Sequence, residues 1–310
     1  MRNTKPKTDV YTQVTNQIVE AIEKGAGKFE MPWHRTGQNT MCPVNIDTGN
    51  NYRGINILSL WASSMVRGYA DGTWGTYRQW QNRGCQVRKG EKASLVVFYK
   101  EFDVEQDASE NADDDKSGKR MMARASYVFN AEQVDGYEAE PLPEVANPVD
   151  ALDAVDAFIA ACGADVRTGG QQAYYKPSED YIQMPPQEMF IGSPTRTPTE
   201  SYYSTLLHEL THWTGHSSRC DRFKAVGSTR DDYAREELVA EIGAAFLCAE
   251  LGVALDPRPD HAAYIDHWLK ILKEDRKAIF KASSAASRAA GYLNQFQGIS
   301  SAGRVAPVPV

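Results

Sequence analysis

The chain of 310 residues carries a formal net charge of −7, with 42% hydrophobic and 24% charged residues. This ordinary globular mix excludes wholesale disorder and fibrous repeats, and the length fits one large domain or two ordinary ones. The charge is uneven, because residues 1–100 hold 14 Lys and Arg against 7 Asp and Glu, whereas residues 101–120 hold 3 against 8. A basic front third followed by acidic segments favours two modules, with the basic one a candidate for binding a polyanion.

The front third predicts a small α+β module. Asp9 is a good cap for a first helix whose apolar face repeats every three to four residues. The polar, apolar-poor segment 105–120 is expected to be a mobile acidic loop between two strands. The predicted helices span Val10–Gly25, Ile55–Arg67 and Thr73–Gly84, and the predicted strands span Ser94–Phe102 and Ala125–Asn130.

Three prolines, Pro141, Pro143 and Pro148, mark the expected seam, so we divide the chain into domains 1–140 and 141–310. The second domain should be mainly helical with a small sheet, which includes a hairpin about Pro177. Its predicted helices span Val149–Cys162, Pro198–Thr214, Asp232–Leu251 and Ala262–Ala290. The predicted fold class is therefore α+β in two domains.

The segment His208-Glu209-Leu210-Thr211-His212 carries the sharpest chemical signal. Residues four apart on a helix share a face, so both imidazoles can reach one metal ion. Glu209 lies beside that ion and can act as the base that activates water there. Thr197, Pro198 and Glu200 predict a capped start for this helix, and Gly215 is expected to end it in the left-handed conformation typical of a helix C-terminus.

A catalytic zinc requires a third protein ligand. The metzincin spacing would place a histidine at position 218, which is Ser218, and His216 comes too early. The next helix offers Glu237 and Glu241 on one face, as in the gluzincin arrangement. We predict Glu237 as the ligand and Glu241 as the carboxylate that accepts the other ring N–H of a ligand histidine, with the reverse assignment as the alternative.

Two further elements of a peptidase site stay open at this stage. The segment Asp180–Pro185 could supply a strand edge for an extended peptide. A donor to the oxyanion is also needed, and the candidates are Tyr233, Tyr202, Tyr203, His216 and Arg219.

The basic front interleaves aromatic and cationic residues, which is the combination that binds single-stranded nucleic acid. No recognition-helix or zinc-finger signature of a duplex reader is evident. The candidate contacts to DNA are Trp33, Arg35, Tyr52, Arg53, Asn56, Trp74, Tyr77, Arg78, Arg88, Lys89 and Lys92.

Several of these motifs resemble the ArdC-type antirestriction proteins of conjugative plasmids. Asn51–Asn56, Trp74–Gln79 and Val87–Lys92 resemble the N-terminal domain of that family, and Leu206–Gly215 with Tyr233–Leu247 resembles its metallopeptidase-like domain. The resemblance implies a front that binds single-stranded DNA and a zincin-type rear in which His208, His212 and a downstream Glu are ligands. It also implies protection of incoming plasmid DNA from host restriction.

These features lead to three interpretations. The first is an antirestriction protein that binds single-stranded DNA and holds Zn²⁺, or another divalent ion such as Mn²⁺, in a metallopeptidase site directed at a protein of the host restriction system. The second is a DNA-binding protein with a structural or vestigial metal that acts by occupancy alone. The third is a DNA-associated protease similar to the SprT or ImmA/IrrE types, whereas the basic front argues against acidic mimicry of DNA. We expect a cytoplasmic monomer without a membrane partner, since no apolar leader, no run of 18 apolar residues and no Cys-x-x-Cys pair occurs.

Overall fold

The computed structural model describes residues 9–25, 42–103, 119–138, 148–192, 197–225, 229–253 and 262–297. The chain has an α+β fold, as predicted, with small sheets among longer helices. The candidate residues Trp33 and Arg35 lie outside the described residues, and so does most of the segment 105–120. Lys119 and Arg120, which were assigned to that loop, belong to a strand.

In the part of the front that the structure describes, three helices combine with two small sheets. A four-stranded sheet has the order β1-β2-β5-β4, and β3 pairs with β6. The helices are α1 (Val10–Gly25), α2 (Ile55–Arg67) and α3 (Tyr77–Asn82), and the strands are β1 (Val44–Asn45), β2 (Thr73–Gly75), β3 (Gln86–Val87), β4 (Ser94–Asp103), β5 (Lys119–Asn130) and β6 (Val134–Asp135).

Local signals set the bounds of the first two helices, as predicted. The Asp9 carboxylate accepts hydrogen bonds from the backbone N–H groups of Tyr11 and Thr12, at 2.9 and 3.2 Å. Helix α2 ends at Gly68, which adopts φ 77°. A side chain would be strained in that left-handed conformation, so glycine is favoured there.

The predicted third helix was wrong at its start. Residues Thr73–Gly75 form β2, and the helix begins only after Thr76, which caps it by a capping box with Gln79. The cause is tertiary packing. The Trp74 side chain is fully buried, and a side chain at Gly75 would lie 2.5 Å from Ile46 and 3.0 Å from the Trp80 ring.

Among the residues described there, the rear consists of five helices and a three-stranded sheet that packs on α5. The helices are α4 (Pro148–Cys162), α5 (Pro198–Trp213), α6 (Arg230–Leu251), α7 (Ala262–Glu274) and α8 (Ala278–Asn294), and the strands are β7 (Asp165–Thr168), β8 (Tyr174–Lys176) and β9 (Tyr181–Met184). The capping box of Thr197 and Glu200 with Pro198 is present at the start of α5, as predicted.

Two predictions about the rear were wrong. Strand β9 is the central strand between β7 and β8, so its backbone is paired on both sides and offers no edge to a peptide. The predicted helix 262–290 is two helices, because the chain turns at Asp275, whose carboxylate accepts a hydrogen bond from the Lys277 N–H at 2.8 Å. Such local side-chain acceptors compete with helix continuation.

One continuous cluster of buried apolar side chains connects the front and the rear. It includes Ile18 of α1, Trp61 of α2, Leu207 of α5 and Phe246 of α6. The Trp61 and Phe246 rings contact each other with centroids 6.1 Å apart. Through this ring pair, helix α2 contacts α6, which carries the acidic residues of the predicted metal site.

Candidate metal centre and candidate nucleic-acid interface

Helices α5 and α6 pack closely enough to bring the predicted ligands together. They approach closely at Gly243, where any side chain would overlap the Thr211 side chain and lie 2.9 Å from its Oγ1. Thr211 sits directly before His212 and is fully buried. Only a glycine at this position lets the backbone of α6 come so near.

The Glu237 carboxylate lies between the two imidazoles. Its Oε2 is 3.5 Å from His208 Nε2, and its Oε1 is 3.3 Å from His212 Nε2. All three ligand atoms lie within 4.8 Å of one another, an arrangement that could hold a metal ion. The three residues are at most 9% exposed.

The outer nitrogens of both imidazoles also face carboxylates. His208 Nδ1 lies 3.5 Å from Glu241 Oε2, the residue predicted for that position. His212 Nδ1 lies 3.1 Å from Glu236 Oε1, a contact that the sequence analysis missed. Glu209 follows His208 on α5 and is only 4% exposed.

Burial and neighbouring charges shift the pKa values of this cluster in opposite directions. Burial disfavours a charged His212, but hydrogen bonds and charge from Glu236 and Glu237 outweigh it and raise the pKa of His212 to about 10. Burial would raise the pKa of Glu237, yet His208 and His212 outweigh it and lower that pKa. A positive charge is therefore strongly favoured between these groups.

The loop after α5 differs from the predicted helix ending. Gly215 was expected in the left-handed conformation, but its φ is not positive. Its role is spatial, because a side chain there would lie 2.8 Å from Phe223 and 3.0 Å from Arg222 Nη2. The glycine lets residues after the turn fold back against α5.

Three of the five candidate oxyanion donors contact other groups in this structure. The Tyr203 hydroxyl donates to Asp156 at 2.7 Å. Arg219 lies over the Trp213 ring, donates to the Trp213 carbonyl and pairs with Asp180. His216 Nδ1 lies 2.8 Å from the Ser218 hydroxyl. Of the other two candidates, Tyr202 is partly buried and Tyr233 is 53% exposed.

The predicted DNA contacts divide by exposure. Trp74 and Tyr52 are buried, at 0% and 8% exposed, so neither ring offers a face for a base in this structure. The Asn56 amide pairs with both backbone groups of Val97, at 2.9 and 2.7 Å. Arg88 is held by Glu91 and Asp135. Packing and hydrogen bonding occupy Trp74, Tyr52 and Asn56 in this structure, whereas Arg88 is exposed beside its two carboxylates. All four remain predictions as contacts to DNA.

The other described candidates are exposed, and β5 adds aromatic residues that the sequence analysis missed. Tyr77 is 42% exposed, and its ring meets Phe129 edge-on at 6.4 Å. Tyr127 is 55% exposed and, two residues from Phe129, shares its face of β5. A groove of about 620 Å³ lies beside Tyr77 and Phe129, with Arg88 and Lys89 in its wall. The exposed cationic candidates are Arg53, Arg78, Arg88, Lys89 and Lys92.

Among the described residues, no helix is both long and apolar enough to span a bilayer. The site itself, with two histidines one helical turn apart and a glutamate from the next helix, defines the class of zincin-like metal centres. A family model for zincin-like metallopeptidases matches residues 153–285, and a model for the N-terminal domain of the anti-restriction factor ArdC matches residues 8–129.

Relatives and solved structures support both assignments. The uncharacterized protein y4eC of Sinorhizobium fredii is 43% identical over 96% of this chain and 95% of its own length. The metal-free crystal structure of antirestriction protein ArdC from plasmid R388 is 41% identical, with a TM-score of 0.73 over 93% of this chain and 97% of that chain. Its Mn(II)-bound structure gives 40% and 0.72 over 94% and 99%. The chain belongs to the ArdC family of antirestriction proteins.

Two DNA primases named TraC, from Escherichia coli, contain a similar segment within longer chains. Each is 35% identical to this chain. The matches cover 94% and 95% of this chain but only 27% and 20% of the primases.

Proposed function

We propose that this chain protects incoming plasmid DNA from host restriction by two coupled activities. The front binds single-stranded DNA, and the rear holds a divalent cation that serves peptide-bond hydrolysis on a DNA-associated protein of the recipient cell's cytoplasm. The observation that carries the metal centre is the convergence of His208, His212 and Glu237 beside Glu209.

The charges of the site fit a divalent cation. Four carboxylates, those of Glu209, Glu236, Glu237 and Glu241, are each at most 7% exposed. The Arg222 guanidinium pairs with one of them, which leaves three negative charges when both imidazoles are neutral. Buried charges require compensation, and a divalent cation supplies most of it.

The types of ligand atom narrow the choice of metal ion but do not identify it. Two imidazoles and one carboxylate form the set that catalytic zinc uses, with a further position open to substrate. Imidazole and carboxylate ligands also suit Mn²⁺. The Mn(II)-bound structure of the R388 ArdC protein supports this second ion for the family. We propose Zn²⁺ or Mn²⁺, held by His208, His212 and Glu237.

The bound cation would supply a Lewis acid that acidifies water and polarises a carbonyl. Glu209 then accepts the proton of the attacking water and passes it to the leaving amine. Its burial, at 4% exposed, keeps bulk water away from this proton transfer. Glu241 faces His208 Nδ1 and holds that ring in place.

The test separates metal binding from hydrolysis. Glu209→Gln should retain Zn²⁺ and Mn²⁺ binding by isothermal titration but lose cleavage of a DNA-bound protein substrate. His208→Ala should lose both. Unchanged cleavage by Glu209→Gln would contradict the assignment of the base. Full antirestriction by both variants, with each shown to be folded, would instead favour protection by DNA occupancy alone.

The proposed DNA surface runs along one face of the front. Tyr77, Phe129 and Tyr127 present aromatic surface, and Arg78 and Lys89 place cations near it. Stacking of bases on such rings contributes about 1–3 kcal/mol per base. The match to the N-terminal domain of the anti-restriction factor ArdC, and the similar segments in two proteins named DNA primase, support DNA as the ligand.

Matched tyrosine variants test this surface. Tyr127→Ala or Tyr77→Ala should weaken binding of a fluorescent single-stranded oligonucleotide about 5- to 100-fold. Tyr174→Ala is the control, since Tyr174 is exposed to a similar extent, 40%, but lies on β8 of the rear. Lys89→Ala should lower the salt dependence of binding by about one ion. Equal effects of the front and rear tyrosines would contradict the proposed location.

A further inference from the structure

A buried ion pair stands behind one of the two imidazoles. Arg222 Nε lies 2.8 Å from Glu236 Oε2, and its Nη2 lies 2.7 Å from Glu236 Oε1. The second of these oxygens is also 3.1 Å from His212 Nδ1. Glu236 is only 5% exposed. Its carboxylate is therefore hydrogen-bonded to a guanidinium on one side and to an imidazole on the other, instead of to water.

The same guanidinium also reaches the last turn of α5. Arg222 Nη2 donates to the Thr211 carbonyl at 2.8 Å, and Nη1 donates to the Thr214 hydroxyl at 3.1 Å. A cation at this end of a helix also complements its dipole. Arg222 therefore connects the helix that carries the histidines to the helix that carries Glu236 and Glu237.

Glu236 and Glu237 approach His212 from opposite nitrogens. They are consecutive on α6, and consecutive helical positions point about 100° apart. Glu237 Oε1 lies 3.3 Å from Nε2, whereas Glu236 Oε1 lies 3.1 Å from Nδ1. A proton on Nδ1, donated to Glu236, leaves the lone pair on Nε2, where Glu237 and His208 converge.

We propose that Arg222 and Glu236 form a positioning pair for the metal centre. Glu236 fixes the orientation and tautomer of His212, and the Arg222 fork holds both oxygens of Glu236 so that this carboxylate cannot swing to the cation. Glu237 then remains the carboxylate that faces the ion. The proposal rests on the metal centre proposed above, and it adds two residues that do not touch the cation.

The experiment compares Zn²⁺ affinity in the full-length protein, measured by competition with a chromophoric chelator, for three variants. Arg222→Met removes the fork. Arg222→Met/Glu236→Leu removes both charges together, because deleting one partner of a buried pair leaves the other unpaired and can prevent folding. Arg219→Met is the matched control, since Arg219 is equally buried and anchors the same loop through Asp180 without contacting Glu236. Thermal unfolding of each metal-free variant reports purely structural losses.

We expect both Arg222 variants to bind Zn²⁺ about 10- to 100-fold more weakly, the usual effect of removing an outer-shell partner. Their Co²⁺-loaded forms should also change in visible absorption, which reports coordination geometry. Arg219→Met should lose thermal stability but keep its Zn²⁺ affinity and Co²⁺ spectrum. Equal weakening in all three variants, or none in the Arg222 variants, would overturn the proposal. A wild-type protein that binds neither Zn²⁺ nor Mn²⁺ would overturn the metal centre and the pair with it.

Discussion

The close contact between Gly243 and Thr211 gives a quantitative test of how the two helices position the ligands. In Gly243→Ala, the new methyl group would overlap the Thr211 side chain, at 2.9 Å from Oγ1 and 3.3 Å from Cβ. Thr211 is fully buried, so its side chain cannot move out into solvent. Overpacking of a core costs about 1–3 kcal/mol, and three overlapping contacts favour the upper part of that range.

Glycine carries its own penalty in a helix, so the substitution also recovers up to about 1 kcal/mol. The net loss in free energy of unfolding should therefore be about 1–2 kcal/mol. Because Glu237 and Glu241 lie on the displaced helix, affinity for Zn²⁺ or Mn²⁺ should fall as well. Chemical denaturation and metal titration of the same sample measure the two effects.

Gly291→Ala provides the matched control. Gly291 lies within α8 and is exposed, and among the described residues no heavy atom lies within 4 Å of the position its side chain would take. This variant should gain about 0.4–1 kcal/mol and leave metal binding unchanged. Adding Thr211→Ala to Gly243→Ala should restore stability, since it removes both atoms that clash most. The reasoning fails if Gly243→Ala matches the control in stability and metal affinity, or if Thr211→Ala brings no recovery.

Three other predictions concern different parts of the chain. Removing the metal with a chelator should lower the free energy of unfolding by about 2.7 kcal/mol, relative to a sample that contains the ion at a hundredfold excess over its Kd. A melting curve that does not change on addition of chelator would contradict metal binding. Arg219 lowers the pKa of Asp180, so Asp180 stabilises the fold above its unfolded pKa and this contribution disappears as pH falls through the lower folded value. The stability deficit of Asp180→Asn should therefore shrink between pH 7 and pH 3, and a constant deficit would argue against the ion pair. Tyr52→Phe removes a hydroxyl that accepts a hydrogen bond from Asn45 at 3.0 Å. The variant should lose about 1 kcal/mol of free energy of unfolding and keep its affinity for DNA. Weaker DNA binding would instead support Tyr52 as a contact to DNA.

The sequence predicted those elements whose signals are local. Helices α1, α2 and α5 carry their own caps, and their starts or ends agree with the prediction. The failures arise where distant contacts override local preference. Thr73–Gly75 reads as a helix start, yet it pairs with β5, and nothing near position 275 except a polar run indicates the turn between α7 and α8. The division at residue 140 stays a prediction.

The members of the candidate metal site were foreseeable because helical spacing places the two histidines on one face of α5 and the two glutamates on one face of α6. His208 and His212 are four residues apart, as are Glu237 and Glu241. Arg222 was not foreseeable, because it reaches Glu236 from the irregular chain after α5. The paired Glu236 and Glu237 were a signal that two carboxylates serve the same imidazole.

Burial of aromatic residues was harder to predict in the front. Trp74 and Tyr77 lie three residues apart in one basic segment, yet one is fully buried and the other is 42% exposed. Composition reports how many rings a segment has and not which face of the fold each one occupies. The alternation of Tyr127 and Phe129 on a strand was the available signal for a shared aromatic face.

The continuous apolar cluster also bears on how this sequence is inherited. Trp61 of α2 rests on Phe246 of α6, and Lys273 of α7 forms an ion pair with Glu23 of α1 at 2.7 Å. A recombination event between the two halves would expose both sides of this core, so selection should keep them together. The matches to the two TraC primases cover 94–95% of this chain as one stretch. In these two longer relatives, sequences similar to the front and the rear therefore occur together.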